Sequence, residues 1–256
     1  MGKLNGKIAI VTGAASGIGE GIAREFAAEG ATVVSADIQR EPGQKIANDI
    51  VAAGGQADFI ETDLRDLNQI QALIDTTVKT HGCLDVLVAN AGLQYEKIIT
   101  ETTEEQYDHM MSVNMKGTFF CCKYAVEAML KTGGGNIVAM GSVLSYMAEP
   151  EFAAYCATKA GIQNLVRSIA TDYGRKNIRA NCICPGYINT PLGDGYFEQQ
   201  ADPEAARKAA SDMHALGRMG ETVEVARGAV FLASDDASFI TGSTLVIDGG
   251  LTAKIY

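Results

Sequence analysis

The feature that most constrains this chain is an alternation along its whole length: short apolar runs, each followed by a stretch with helical spacing. KIAIVT (7–12), ATVVSAD (31–37), QADFIET (56–62), LDVLVAN (84–90), NIVAMGS (136–142), IRANCICPG (178–186) and STLVIDG (243–249) read as strands. They show little polar alternation, the mark of strands covered on both faces. Helical stretches are expected at about 17–29, 42–53, 66–80, 104–131, 152–174 and 222–234, with a break in the long one near Asn114. Seven strands separated by helices predict an α/β fold built on a parallel sheet with helices on both faces. No linker, repeat or change of composition divides residues 1–256.

The irregular stretch is 188–220, too long for an ordinary connection, and residues at about 189–215 are expected to form a substrate lid. Pro191, Gly193, Gly195 and Pro203 would interrupt regular structure and supply hinges. EAARKAASDMHAL reads as an amphipathic helix with Ala206, Ala209, Ala210, Met213 and Leu216 on its apolar side.

Composition narrows the function. Hydrophobic residues are 47% and charged residues 20%, which excludes disorder. The 28 glycines have no triplet period, so the chain is not collagen-like. No run of about 18 apolar residues occurs, and the N-terminus leads directly into a glycine loop. The expectation is a cytoplasmic protein without signal peptide, transit peptide or membrane span. A net charge of −10 disfavours nucleic acid and anionic membrane as partners. Six dispersed cysteines, with no CxxC pair, read as small core residues rather than disulfides or a metal site.

TGAASGIG (12–19) joins the first strand to the first helix, with Gly13, Gly17 and Gly19 in a G-x-x-x-G-x-G spacing. A tight strand-to-helix turn is the plainer reading of such a loop. Its place directly after the first strand favours a dinucleotide site, where glycines let backbone approach a pyrophosphate at a helix N-terminus. Asp37 ends the second strand, where a carboxylate accepts both ribose hydroxyls and repels a 2′-phosphate. Ala14, Ala15, Ile38 and Gln39 bring no cation; Arg40 is the nearby one. NAD is therefore expected over NADP.

YCATK (155–159) puts Tyr155 and Lys159 one turn apart on a helix face. A phenol near pKa 10 needs roughly 4 kcal/mol of differential stabilisation to reach neutrality. One ammonium supplies part of that, and the positive charge of an oxidised nicotinamide could supply the rest. Alone, such a pair is common on helices.

In order, TGAASGIG, NAG (90–92), Ser142, YCATK, Pro185-Gly186 and DGG (248–250) make the chain similar to the short-chain dehydrogenase/reductase family over nearly its whole length. The resemblance implies a single Rossmann-like, doubly wound domain, usually a homodimer or homotetramer, that moves a hydride between NAD(P) and an alcohol or ketone. It implies Tyr155 as general acid/base, with Lys159 lowering its pKa and holding the nicotinamide ribose. Ser142 would hold the substrate oxygen, and Asn114 would fix a helix break and a water that relays protons to Lys159. Gly13, Ser16, Gly17, Ile18, Gly19, Asp37, Asp63, Leu64, Asn90, Ala91, Gly92, Pro185, Gly186, Ile188 and Thr190 would line the cofactor. Asp63 would meet the adenine, and Ile188 and Thr190 the carboxamide. A homotetramer is expected, the helices at 104–131 and 152–174 pairing across subunits and the tail LTAKIY packing on a neighbour.

Three other functions share parts of this pattern. A nucleotide-sugar epimerase or dehydratase would add a C-terminal substrate domain, and the chain stops soon after the last strand. A non-catalytic cofactor-binding regulator would have a broken tetrad, and Asn114, Ser142, Tyr155 and Lys159 are all present. A Ser-Lys hydrolase lacks a nucleophile elbow. For the substrate, Gln94 and Glu149 offer hydroxyl-binding groups, while Leu144, Phe152 and Tyr187 offer apolar walls; core packing accounts equally well for Leu144 and Phe152. No arginine falls at these positions, so a neutral polyol, sugar or cyclic secondary alcohol is expected. His214, in the lid, is the one histidine placed to take part.

Overall fold

The computed structural model describes residues 2–254, so Ile255 and Tyr256 of the expected docking tail lie outside the described residues. Seven strands, β1 (Ile8–Thr12), β2 (Thr32–Asp37), β3 (Gln56–Glu61), β4 (Val86–Ala89), β5 (Gly135–Met140), β6 (Ile178–Pro185) and β7 (Thr244–Ile247), form one sheet in the order β3-β2-β1-β4-β5-β6-β7. Every pairing is parallel. The fold is Rossmann-like. The order reverses between β1 and β4, which opens a crevice at the carboxyl ends of those strands.

The apolar runs become central strands because both faces are covered. One face packs against α1 (Gly17–Ala28) and α9 (Thr222–Ala233), where Ile22, Phe26, Val225 and Ala229 are fully buried with Val11 and Val33. The other packs against α3 (Leu67–His81), α5 (Thr118–Thr132) and α6 (Ala153–Tyr173), where Ile10, Leu73, Leu87, Cys121 and Met129 are fully buried. The cysteines Cys121, Cys122, Cys182 and Cys184 sit unpaired in this second layer, as small hydrophobes. α2 (Arg40–Ala52) covers the β2–β3 end. No helix of the described residues is long and apolar enough to cross a membrane.

The long helical stretch is broken near Asn114, but the chain does not leave the helix. α4 (Glu104–Met110) passes into a π-helical segment, Met111–Gly117, before α5. The wider turn sets Asn114 inward at full burial.

The 188–220 insert departs from expectation in its first half. It forms two helices, α7 (Pro191–Glu198), where breaks are expected, and α8 (Pro203–Met213), which matches the expected amphipathic helix after Pro203. Pro191 and Pro203 begin these helices instead of breaking them, because proline at the first helical position loses no hydrogen bond. Gly193 and Gly195 lie inside α7, and Gly193 N–H donates to the Thr190 hydroxyl cap at 3.1 Å. The predicted apolar side of α8 is packed at Ala210 and, partly buried, at Ala206; Met213 is 45% exposed and Leu216, beyond the helix, 68%. Ala209 is also exposed. The segment instead packs through a small cluster of Phe197, Ala210 and Met219 against Tyr187 and Tyr196.

Candidate active site

The residues singled out from the sequence for cofactor, substrate and proton transfer, apart from Asn114 and His214, line one cavity of about 1030 Å³ along the carboxyl ends of the strands. Its near end is the glycine loop between β1 and α1. Gly13 and Gly17 have φ of 66° and 57°, values unfavourable for other residues. A Cβ on Gly19 would stand 2.0 Å from the Gly13 carbonyl oxygen and 2.7 Å from Asn90 Nδ2, so only glycine lets α1 start this close to β1 and β4. Ser16, the N-cap of α1, makes no side-chain cap, which leaves the first-turn N–H groups directed to the crevice. This cradle fits the pyrophosphate of a dinucleotide.

Asn90 does more than wall the cavity. Its Nδ2 donates to the carbonyls of Thr12 at 2.9 Å and Gly13 at 3.3 Å, while the N–H groups of Asn90 and Ala91 donate to Thr12 Oγ1 at 3.0 and 3.1 Å. Thr12 thus ties the ends of β1 and β4. It was absent from the predicted site, although it opens the glycine motif.

At the adenosine end, Asp37 accepts the N–H groups of Ala15 at 3.0 Å and Gln39 at 2.9 Å, so its carboxylate is locked at the tip of β2. Arg40 turns away to Glu61, 3.8 Å distant. Asp63 is held by Arg65 at 2.6 Å, and that guanidinium keeps its carboxyl below the usual range. Leu64 is buried beside it. His109 also lines this cavity, with Nδ1 2.6 Å from the Tyr95 hydroxyl, an arrangement the sequence did not signal.

At the other end, Ser142 follows β5 and caps a short turn, its hydroxyl accepting Leu144 N–H at 3.1 Å. Tyr155, in the first turn of α6, faces it. Burial pushes the phenol up to about 12, with the Ser142 hydroxyl pulling the other way. Lys159 is 4% exposed; its Nζ donates to the Met140 carbonyl at 2.9 Å and lies 5.4 Å from the centre of the Tyr155 ring. Burial without a carboxylate partner brings the ammonium down to about 8. The lysine thus stands beside the tyrosine ring, with its ammonium bonded to the Met140 carbonyl.

Asn114 lies behind the cavity wall. Its Oδ1 accepts Leu93 N–H at 2.9 Å, and its Nδ2 donates to the Leu93 carbonyl at 2.8 Å and to Thr158 Oγ1 at 3.3 Å. A Cβ on Gly92 would stand 3.3 Å from Asn114 Oδ1 and 3.5 Å from Lys159 Nζ, so both groups crowd the same side of Gly92.

Among the candidate substrate residues, Tyr187 donates its hydroxyl to Glu149 Oε1 at 2.5 Å, joining the root of the 188–220 insert to the loop after β5. Burial, then this carboxylate, pushes the Tyr187 phenol up. Phe152 is buried 6.0 Å from the Tyr155 ring and 6.3 Å from that of Tyr196, so the apolar wall is aromatic. Gln94 and Leu144 share this wall. Glu96 stands nearby, its carboxyl pushed up by burial and by Glu151 and Glu149. Ile188 is buried and pairs with Gly220, while Thr190 Oγ1 is committed to capping α7. His214 lies outside this cavity: 2% exposed, its Nε2 accepts Tyr187 N–H at 3.3 Å and its Nδ1 lies 2.8 Å from the Ala210 carbonyl. It fastens the insert instead of facing substrate.

A glycine cradle, a carboxylate at the second strand and a Ser/Tyr/Lys set at one crevice define a dinucleotide-dependent oxidoreductase site. A family model described as enoyl-(acyl carrier protein) reductase matches residues 13–252. The chain is 40% identical over 255 residues to the oxidoreductase UcpA of Salmonella typhimurium, covering 98% of this chain and 97% of that one. A protein from Burkholderia xenovorans described as a short-chain dehydrogenase/reductase superposes with a TM-score of 0.97 at 32% identity, covering 100% of both chains. One from Beutenbergia cavernae, described as an NAD(P)-dependent gluconate 5-dehydrogenase with NADP at low occupancy, superposes with a TM-score of 0.93 at 30% identity over 98% of this chain and 99% of that one. The chain belongs to the short-chain dehydrogenase/reductase family and is an oxidoreductase.

Proposed function

We propose that this enzyme is an NAD-dependent dehydrogenase/reductase of secondary alcohols and ketones, with a neutral polyol, sugar or cyclic alcohol as substrate. The observation that carries this reading is the placement of Ser142, Tyr155 and Lys159 around one end of a cavity whose other end is the glycine cradle and Asp37. The nicotinamide, when bound, supplies or takes up the hydride. Gly13, Ser16, Gly17, Ile18 and Gly19 hold the pyrophosphate, Asp37 the adenosine ribose and Asp63 with Leu64 the adenine. Asn90, Ala91, Gly92, Pro185, Gly186, Ile188 and Thr190 line the remainder, and Lys159 holds the nicotinamide ribose. Ser142 orients the substrate oxygen and Tyr155 gives or takes its proton, with Asn114 and Lys159 on the path to solvent.

Two features support the finer choices. Asp37 is held at the tip of β2, where a carboxylate would repel a 2′-phosphate, and both nearby cations, Arg40 and Arg65, are paired with carboxylates. At the substrate end Glu149 lines the cavity with Gln94, Leu144 and Tyr187, and among the described residues Lys159 is the one cation there. An anionic substrate would meet Glu149, with Glu96 close by. NAD is expected to exceed NADP at least about tenfold in kcat/KM, or about 1.4 kcal/mol. A nicotinamide fluorescence assay with neutral polyols, sugars, cyclic alcohols and hydroxy acids tests both choices. Equal use of NAD and NADP removes the cofactor assignment, and a clear preference for hydroxy acids removes the substrate class.

The whole chain is read as one NAD-binding domain carrying a lid at 189–215. Support comes from the small Phe197–Ala210–Met219 cluster, which holds the segment far more lightly than the sheet is held. In the unliganded protein 189–215 should exchange amide hydrogens quickly, and it should slow when cofactor and substrate are both bound. Protection equal to that of the strands, unchanged by ligand, would contradict the lid. We also read a homotetramer, supported by Phe119 and Leu130, which stand 46% and 43% exposed on α5. A cytoplasmic setting suits its unpaired cysteines.

A further inference from the structure

Ser145 lies three residues beyond Ser142, in the turn after β5. Its hydroxyl accepts Ser142 N–H at 3.2 Å and donates to the Lys159 carbonyl at 2.9 Å, and the Cys184 thiol of β6 approaches it at 3.7 Å. A serine hydroxyl has one proton and two lone pairs. Ser142 N–H and the Cys184 thiol take up the lone pairs, and the Lys159 carbonyl takes the proton, so nothing is left for substrate or water.

We propose that Ser145 is a positioning residue that sets the separation between the Ser142 hydroxyl and the Tyr155/Lys159 face of α6. The proposal rests on Tyr155 being the acid/base. The three groups it joins belong to the turn that carries Ser142, to the helix that carries Tyr155 and to the strand behind both. The Ser142–Ser145 pair also forms a reciprocal cap on the short turn, to which the Ser145 hydroxyl contributes only the bond it accepts from Ser142 N–H. The bond to the Lys159 carbonyl is additional, and that carbonyl lies one helical turn after Tyr155. There is little slack around this hub: a Cβ on Gly141 would stand 2.8 Å from the sulfurs of Cys182 and Cys184 and 3.1 Å from Ser145 Oγ. Without the hydroxyl the turn is free to drift from α6, and a reacting pair displaced by about 1 Å loses up to roughly a hundredfold in rate.

The test is a double-mutant cycle, run on the alcohol that the enzyme turns over best. Ser145→Ala and Ser145→Gly are each expected to lower kcat about tenfold to a hundredfold, with KM for the cofactor changed less than about threefold. Because Ser145 acts through Ser142, the Ser142→Ala/Ser145→Ala double variant should be no slower than Ser142→Ala alone, within about twofold. Multiplicative losses in the double variant overturn the proposal, as does wild-type kcat in both single variants. Loss of a cooperative unfolding transition in both overturns it too, since Ser145 is then needed for folding. Tyr155→Phe, measured in the same assay, reports separately on the acid/base reading: if it keeps its turnover, that reading fails, whatever the cycle shows.

Discussion

Tyr155→Phe is expected to lower kcat by about a hundredfold or more while NADH still binds, the usual scale for removing a general acid/base. The phenol lines the cavity with a proton to exchange, and the Ser142 hydroxyl is beside it. With burial pushing the phenol up to about 12, the tyrosine carries its proton across the neutral range. It is ready as the acid for ketone reduction, whereas alcohol oxidation needs it deprotonated. Oxidation should therefore accelerate as pH rises through the neutral range, and reduction should not. The steady-state pH profiles in the two directions are the measurement. Near-normal turnover by the phenylalanine variant would remove Tyr155 from the chemistry, and an oxidation rate that falls between pH 6 and 8 would reverse the assigned proton direction.

Lys159→Met should stabilise the unliganded protein at pH 7 while abolishing most turnover and weakening cofactor binding. Lys159 is 4% exposed and its ammonium hydrogen-bonds a backbone carbonyl, that of Met140. A fall from the ordinary 10.5 to about 8 corresponds to a penalty of about 3 kcal/mol on the charged form in the folded state. Methionine matches the side chain in length and removes that penalty; the stranded Met140 carbonyl gives back about 1–2 kcal/mol. The sign follows from proton counts. Between about 8 and 10.5 the unfolded chain binds more protons at this site, so wild-type stability gains as pH rises through that window. The penalty is fully present below about 8 and gone above 10.5, and the advantage of the methionine variant should vanish over the same interval. At pH 7 a net gain of about 1–2 kcal/mol would appear as a rise of roughly 2–8 °C in Tm. A variant less stable than wild type at pH 7 would show that the buried ammonium is not a cost to the fold. Stability sacrificed at a charged group is the usual mark of a working site.

Most of the sheet was legible because a buried parallel strand needs an unbroken apolar run, and that run is visible without any partner. The predicted strands fall within one to two residues of β1 to β7 at each end. The helices flanking them were legible for the same reason, since each has one apolar stripe to bury. The 188–220 insert was misread where it has no large apolar face. There Pro191, Gly193 and Gly195 suggest a break, whereas Pro191 starts α7 and both glycines lie inside it; the helix after Pro203 is legible, but its packing with Phe197 is not. The π-helical turn at Met111–Gly117 could be anticipated as a break at Asn114 but not in kind, because the extra residue in the turn is stabilised by the bonds of Asn114 to Leu93, a contact distant in sequence.

By itself the sequence determined the order of strands and helices, the glycine cradle, the carboxylate at Asp37 and the Tyr155/Lys159 pair, since each is a local pattern with a local physical cause. Only the tertiary structure decided which groups are free to act. Arg40 is spent on Glu61, Glu149 is held by Tyr187, His214 fastens the insert and Asn114 stands behind the cavity. The same packing decided that Ser145 has no capacity left for a ligand and that Lys159 is buried without a counter-charge. These are consequences of hydrogen-bond capacity and burial. Both depend on which residues meet in space, and no window of sequence contains that information.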